Sequence, residues 1–260
     1  MIEGRQLWIY LSVKYQGDWM SIYEAIRRKE PVDTLEIENM KPIKAITILD
    51  DDYPECFKSQ FRPPFVLYYK GNRELLNKSK KLAVIGSRKM TKYGKDVSNY
   101  FIDKIKESGH DIAIVSGMAR GIDGEASRAC MRNGLPLISC VGSGLDICYP
   151  ESNKDIFEYC QKENGLVLSE YPVGVPPLKE NFPPRNRIIS ALANSILVVE
   201  AGARSGTSIT VNYACDQGKD ILCVPTSIFS NSSFTNYLIA SGAIPCLEID
   251  DILSSLKVNK

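Results

Sequence analysis

The stretch LAVIGSRKMTKYGKDVSNYFIDKIKESGHDIAIVSG, residues 82–117, decides the fold class. It begins with a short apolar run, Leu82–Ile85, continues through a polar loop into an amphipathic segment, Tyr93–Ser108, and ends with a second apolar run, Ile112–Val115. Continuous β-branched runs are typical of strands that are buried on both faces of a parallel sheet. The stretch therefore predicts two parallel strands joined by a helix.

The same alternation continues along the rest of the chain. Further apolar runs predict strands at Leu137–Val141, Leu166–Leu168, Ile196–Val199 and Ile221–Val224. Amphipathic stretches predict helices at 125–133, 153–163, 184–193 and 207–218, and a closing helix at Ile249–Leu256. The pattern predicts an α/β fold, an extended Rossmann-like, doubly wound and mostly parallel sheet.

The first part of the chain has a different character. Trp8–Arg28 is predicted to form one helix, and Phe65–Tyr69 is predicted to be a strand added to the sheet. We expect a small helical appendage at residues 1–45 and a single extended Rossmann-like domain at residues 46–260.

Composition limits the classes of function. The chain has 32 Lys and Arg against 31 Asp and Glu, so an anionic partner must be held by a local cluster of cations and not by a global field. No apolar run reaches about 18 residues, and the N-terminus has no signal-peptide pattern. Eight cysteines without a CxxC pair and a single histidine, His110, disfavour a metal site and histidine-based nucleophilic catalysis. We expect a reduced, cytoplasmic protein.

The loops after the predicted strands share one composition, since Gly, Ser, Thr and Arg dominate almost all of them. They read GSR (86–88), SGMARGID (116–123), GSGLDICYP (142–150), SEYP (169–172), EAGARSGTSIT (200–210) and VPTS (224–227). Ligands of doubly wound sheets bind at this edge, where glycine backbones, helix N-termini and arginines hold phosphates. One such loop is explained by turn chemistry, but together they predict a phosphate-bearing ligand. The first loop lacks GxGxxG and no Walker A motif is present, which disfavours NAD and ATP.

The segment VGVPPLKENFPPRNRIIS, residues 173–190, combines a ring with cations. Phe182 lies close in sequence to Lys179, Arg185 and Arg187. Proteins that grip single-stranded nucleic acids place cations on phosphates and stack a ring on a base. The alternative, in which Phe182 fills the core and Arg187 caps a sheet edge, stays open on spacing alone.

The loop motifs GSR, SGMARGID, GSGLDICYP, LSEYP, FPPRNRIIS, VVEAGARSGTSIT and TNYLIASGA resemble, in order and spacing, those of the DNA-processing protein A family, also called Smf. The resemblance extends over residues 46–254. It implies sequence-independent binding of single-stranded DNA and loading of the RecA recombinase during natural transformation. It also implies a homodimer and a binding role without catalytic residues, and we expect no cofactor and no metal. Because the sequence stops near residue 260, we expect it to lack the winged-helix-like C-terminal domain that some members carry.

The resemblance also implies which residues contact DNA. Arg88 resembles the main phosphate ligand, Lys179 a further phosphate contact, and Phe182 the stacking ring. The full implied set is Gly86, Ser87, Arg88, Ser116, Gly117, Arg120, Gly142, Lys179, Phe182, Arg185, Asn186, Arg187, Arg204, Ser205, Gly206 and Thr207. The chain departs from the family pattern at Ser127, Glu151 and Thr226, which leaves the affinity open. We place the dimer face at Ile228–Leu238 or at 244–256.

Two other function classes remain alternatives. A nucleotide phosphoribohydrolase of this superfamily has a PGGxGTxxE helix start, whereas the corresponding region here reads EAGARSGTSIT. A nucleotide-binding sensor would use the same loops for a mononucleotide. For single-stranded DNA, neutralising about three or four phosphates predicts that log K falls with log salt at a slope of about −2 to −3.

Overall fold

The computed structural model describes residues 4–40, 42–202, 205–230 and 233–258. Nine strands form one sheet in this part of the chain. They are β1 (Ala45–Thr47), β2 (Val66–Gly71), β3 (Lys80–Gly86), β4 (Ile112–Ser116), β5 (Leu137–Cys140), β6 (Gly165–Ser169), β7 (Ser195–Glu200), β8 (Asp220–Cys223) and β9 (Ile244–Pro245).

Helices connect the strands and cover both faces of the sheet. The helices are α1 (Gly4–Lys14), α2 (Trp19–Arg27), α3 (Thr34–Glu38), α4 (Glu55–Lys58), α5 (Lys92–Glu107), α6 (Ile122–Arg132), α7 (Lys154–Tyr159), α8 (Phe182–Leu192), α9 (Gly206–Asp216), α10 (Phe234–Ala240) and α11 (Ile249–Ser255). No helix in the described ranges is both long and apolar enough to cross a membrane.

The sheet is mostly parallel, and its strand order is β1-β2-β6-β5-β4-β3-β7-β8-β9. Only β1 with β2 and β2 with β6 pair in antiparallel fashion. The central strands are buried on both faces; the residues of β4 and β5, for example, are all buried. This explains why their sequences are continuous apolar runs, and it confirms the predicted α/β, Rossmann-like class.

The order of the strands defines a switch point. From β3 the chain adds β4, β5 and β6 on one side, and β7 then returns to the opposite side of β3. The carboxyl ends of β3 and β7 therefore lead into helices on opposite faces of the sheet, which opens a crevice between them.

The N-terminal segment differs from its prediction. Trp8–Arg28 is not one helix, because the chain turns between α1 and α2 with positive φ at Gln16 and Gly17, and Asp18 caps the start of α2. Leu11 of α1 belongs to the same buried cluster as β2 of the sheet. The domain boundary at residues 45 and 46 stays a prediction.

The element boundaries elsewhere follow the sequence closely. The predicted strand at Phe65–Tyr69 exists as β2 and pairs antiparallel with β6. The largest difference is at 153–163, where α7 ends at Tyr159, because the chain must turn there to enter β6.

Candidate functional site

Two adjoining cavities lie in the crevice at the switch point. Cavity A has a volume of about 380 Å³ and is lined by Ile85, Gly86, Ser87, Arg88, Lys89, Ala119, Asp123, Arg185, Asn186, Ile189, Gly202, Ser205, Gly206, Thr207 and Thr210. Cavity B has a volume of about 290 Å³ and is lined by Arg88, Lys89, Gly117, Met118, Ala119, Arg120, Val141, Gly142, Ser143, Tyr149, Pro150, Phe182 and Arg185. Arg88, Lys89 and Arg185 line both, so we treat the two cavities together as the cleft.

The backbone at the end of β3 is held in place by its neighbours. The pairing of β3 with β7 shifts register at Gly86, and the Ser87 amide then donates to the carbonyl of Glu200 at 2.6 Å. Gly121, before α6, has a φ of 78°, and a Cβ there would collide with the carbonyl oxygen of Ser87. Glycine is required at this position, because both the backbone conformation and the close approach exclude a side chain.

Asp123 ties two of the loops together. Its carboxylate accepts hydrogen bonds from the Gly86 amide at 3.3 Å and from the Gly117 amide at 3.1 Å. Burial raises the pKa of Asp123, while the charge of Arg185 and these amides act in the opposite direction. Asp123 is the second residue of α6 and does not cap it, so its role is to join the ends of β3 and β4.

Arg185 lines both cavities from below and is itself buried. Its side chain is buried, and Nη1 donates to the carbonyl of Gly117 at 2.6 Å and to the carbonyl of Cys140. Burial lowers the pKa of Arg185, whereas Asp123 acts to raise it. The guanidinium therefore contributes positive potential to both cavities while its donors are largely engaged by carbonyls.

The far wall of cavity A is the start of α9. The Asn186 side chain donates to the carbonyl of Gly206 at 3.2 Å, which links α8 to this helix start. The hydroxyl oxygen of Ser205 is buried and has no hydrogen-bond partner among the described residues. Thr207 is buried in the first turn. Unpaired amides and the helix dipole make such a wall favourable for an anion.

Phe182 is the ring of cavity B. Its side chain is half-buried, so the ring is neither enclosed in the core nor fully exposed to solvent. The Arg88 guanidinium carbon lies 5.6 Å from the ring centroid, and that of Arg185 lies 5.8 Å from it. The Tyr149 ring, which is 46% exposed, stacks on Phe182 with 5.8 Å between centroids. The structure thus brings Arg88 and Phe182 together, and adds Tyr149, which sequence reasoning missed.

The remaining predicted residues lie in several places. Arg120, Gly117 and Gly142 line cavity B. Ser116 is fully buried and donates to the carbonyl of Val84. Lys179 is exposed at the start of the 3₁₀ turn Lys179–Asn181 and lines neither cavity. The prediction for Arg204 falls outside the described residues.

Arg187 lies apart from the cleft. It is buried and forms a bidentate ion pair with Glu170, at 2.6 and 2.7 Å. Its Nε donates to the carbonyl of Arg62 at 3.1 Å. Arg187 lines neither cavity of the cleft, and the Glu170 carboxylate and the Arg62 carbonyl engage its donors, which agrees with the structural alternative; its contact with DNA stays a prediction.

The described part of the chain contains neither a disulfide nor a cluster of metal-binding side chains. All eight cysteines are free thiols, and only Cys215 is exposed. The described residues contain no group of three or more His, Cys, Asp or Glu side chains that could hold a metal ion.

The fold and the cleft define a class of protein: a Rossmann-like α/β protein with a cleft lined by arginine and lysine at the switch point of its sheet. The chain belongs to the family described as DNA recombination-mediator protein A, whose model matches residues 44–257. The resemblance inferred from the motifs is therefore confirmed.

Individual relatives agree with this assignment. The DNA processing protein DprA of Streptococcus pneumoniae is 40% identical over 214 residues, which are 82% of this chain and 74% of that protein. The protein Smf of Synechocystis is 38% identical over 231 residues, which are 87% of this chain but only 57% of the relative. The chain thus spans little more than half of that relative.

Solved structures are similar as well. The X-ray structure of DprA from Streptococcus pneumoniae has a TM-score of 0.80 and 34% identity, and the match covers 96% of this chain and 92% of that one. A structure of DNA processing protein A from Helicobacter pylori, described in terms of its single-stranded DNA binding mode, has a TM-score of 0.72 and 27% identity; that match covers 83% of this chain and 96% of that one.

Proposed function

We propose that the cleft binds single-stranded DNA without sequence preference. The observation that carries the proposal is the Arg88 guanidinium at 5.6 Å from the Phe182 ring, within one cleft. A cation for a phosphate and a ring for a base are the two groups that a sequence-tolerant site needs. Membership of the recombination-mediator family and the single-stranded DNA binding described for the Helicobacter pylori relative support the same function.

Each cavity has its own part in the proposed binding. In cavity B, a base stacks on the Phe182 ring, either in the place that the Tyr149 ring occupies or next to it. In cavity A, the start of α9 and the hydroxyl of Ser205 bind a neighbouring phosphate. Arg88 and Lys89 line both cavities and contact the DNA sugar-phosphate backbone between the stacked base and that phosphate. Stacking contributes about 1–3 kcal/mol per base.

Fluorescence anisotropy of labelled oligo-dT across a salt series tests this function. Arg88→Ala and Phe182→Ala each weaken binding, but only Arg88→Ala flattens the salt slope, by about 0.7 for one lost phosphate contact. Lys106→Ala is the control, because it removes an exposed cation from the last turn of α5, away from the cleft. Wild-type affinity of both cleft variants refutes the assigned cleft.

The wider role that we propose follows from the family and from the exposed surface. We infer that the protein loads the RecA recombinase on the bound strand in the cytoplasm, during transformation, and that it does so as a homodimer. Ile228 and Phe229 are 78% and 92% exposed, which supports a dimer face at Ile228–Leu238. Phe229→Asp should give a monomer by sedimentation. RecA ATPase activity on strands coated with single-strand-binding protein tests the loading, and stimulation by this protein is the expected result.

A nucleotide sensor is the second candidate, and cavity A favours it. The Ser205 hydroxyl at a helix start, which has no hydrogen-bond partner among the described residues, would suit a mononucleotide phosphate as well as a strand. Affinity that rises with oligonucleotide length supports the DNA function, whereas saturation by a mononucleotide supports the sensor. We propose binding without chemistry; release of free base or ribose phosphate from a nucleotide would instead identify a phosphoribohydrolase.

A further inference from the structure

A third cavity, which we call cavity C, lies on the other side of the 3₁₀ turn from the cleft. It has a volume of about 370 Å³ and is lined mainly by the α1–α2 turn, residues 61–62, the loop before α8, and the ion pair of Glu170 and Arg187. The two members of that pair are buried and bond each other, so this part of its wall is polar but balanced in charge.

One wall of cavity C is a fixed aromatic surface. The Trp19 indole donates to the carbonyl of Pro63 at 2.8 Å, and its ring stacks on Phe65 and on Tyr23. These contacts hold the indole in one orientation. Trp19 is half-buried, and a ring held in this way is a favourable surface for contact with a ligand, because little side-chain entropy is lost on binding.

At the rim of cavity C, an arginine side chain lies beside an exposed aromatic ring. The Phe61 side chain is 83% exposed. The Arg62 guanidinium carbon lies 5.2 Å from the Phe61 ring centroid and 5.4 Å from that of Trp19. Arg62 forms no ion pair with any described residue, so its charge is available to a ligand. This is the same pairing of cation and ring as Arg88 with Phe182.

Cavity C and the cleft border the same segment of the chain, residues 181–185, from different sides. Asn181 and Pro184 line cavity C, while Phe182 and Arg185, which alternate with them in sequence, line the cleft. Lys179 lies on this dividing turn, is exposed, and also lacks an ion pair in the described part of the chain. Arg88 in the cleft, Lys179 on the turn and Arg62 at the rim of cavity C are thus three cations on the two sides of this segment.

We propose that cavity C is a second base-stacking site, which extends the path of single-stranded DNA from the cleft across Lys179 to Phe61 and Trp19. The inference rests on the proposed function. On this path a base beyond Phe182 stacks on the exposed Phe61 ring, with Arg62 beside it for a phosphate. The path also includes Lys179, which lines neither cavity of the cleft but would contact a phosphate between the two sites. Two exposed acids, Asp18 and Glu180, line the same cavity and weaken its attraction for phosphate.

Oligonucleotide length separates this site from the cleft. A strand of about four nucleotides fills the cleft alone, whereas one of about twelve reaches both sites. Phe61→Ala should weaken binding of the longer strand by about fivefold to tenfold and leave the shorter one unchanged. Phe61→Tyr should restore the affinity, since it restores a ring. Glu180→Gln should strengthen binding of the longer strand, because it removes a negative charge from the path.

The matched control is Leu35→Ala, which truncates an apolar side chain that is 64% exposed on α3. It should change neither affinity. If Phe61→Ala has no effect at either length while Arg88→Ala weakens binding at both, cavity C is not on the path and only the cleft binds DNA. If neither variant weakens binding, the proposed function fails together with this inference.

Discussion

Replacing Arg187 should destabilise the folded protein without removing a DNA contact in the cleft. The Arg187 guanidinium is 6% exposed and the Glu170 carboxylate is 8% exposed, and they bond through both pairs of atoms at 2.6 and 2.7 Å. Burial alone would lower the pKa of Arg187, but Glu170 holds it above its usual value. Arg187→Gln leaves the carboxylate buried without its cation, which costs about 3–5 kcal/mol.

Urea denaturation followed by circular dichroism measures this loss. With an m value of about 3 kcal/mol per M, the midpoint should fall by roughly 1 M or more. Arg128→Gln is the control, because Arg128 forms its ion pair with Asp155 at the surface, where the two side chains are 35% and 45% exposed. Such an exposed pair is worth about 0.2–1 kcal/mol.

A double variant sharpens the comparison. Arg187→Met with Glu170→Leu removes both charges together and should recover most of the lost free energy of unfolding, since no charge is left unpaired. The folded Arg187→Gln protein should still bind short oligo-dT in the cleft. A small loss of stability, no larger than that of Arg128→Gln, together with weaker binding of short strands would refute this assignment and return Arg187 to the cleft.

Three further predictions concern the cleft and the thiols. Gly121→Ala should weaken oligo-dT binding in anisotropy titrations and lower the melting temperature, because a Cβ would collide with the loop that carries Arg88. Ser205→Ala should leave the melting temperature unchanged or slightly raised, since its hydroxyl has no described partner, but should lower affinity by about 0.5–1.5 kcal/mol if it binds a phosphate. In mass-spectrometric alkylation of the native protein near pH 8, Cys215 should react first, and half-buried Cys56 should lag because burial raises its thiol pKa. Equal rates for the two thiols would contradict the last.

The sheet could be predicted from the sequence because its strands are buried on both faces. Continuous apolar runs such as Leu82–Ile85 and Ile196–Val199 have no competing interpretation in this context, and they correspond to β3 and β7. The division of Trp8–Arg28 into two helices was missed. The signal was present in Gly17 followed by Asp18, a left-handed glycine and a helix cap, but apolar residues on both sides masked it.

The site was predictable only as far as loop position determines it. Residues at the ends of strands, such as Arg88, meet at the switch point whatever their side chains do. The orientation of the arginines on α8 was not predictable, because spacing does not show which carbonyls or acids lie opposite. Arg185 meets the carbonyls of Gly117 and Cys140, which are 68 and 45 residues away in the chain, and Arg187 meets Glu170, which is 17 residues away.

The cleft is assembled from segments that are far apart in the chain. Arg88 follows β3, whereas the opposite wall at Ser205–Thr207 follows β7, which inserts beside β3 only after the other central strands have been made. A growing polypeptide on the ribosome therefore lacks the complete cleft until β7 and α9 have emerged. Cavity B, whose lining residues end at Arg185, can form earlier, so the two cavities should become available in succession during synthesis, with cavity A second.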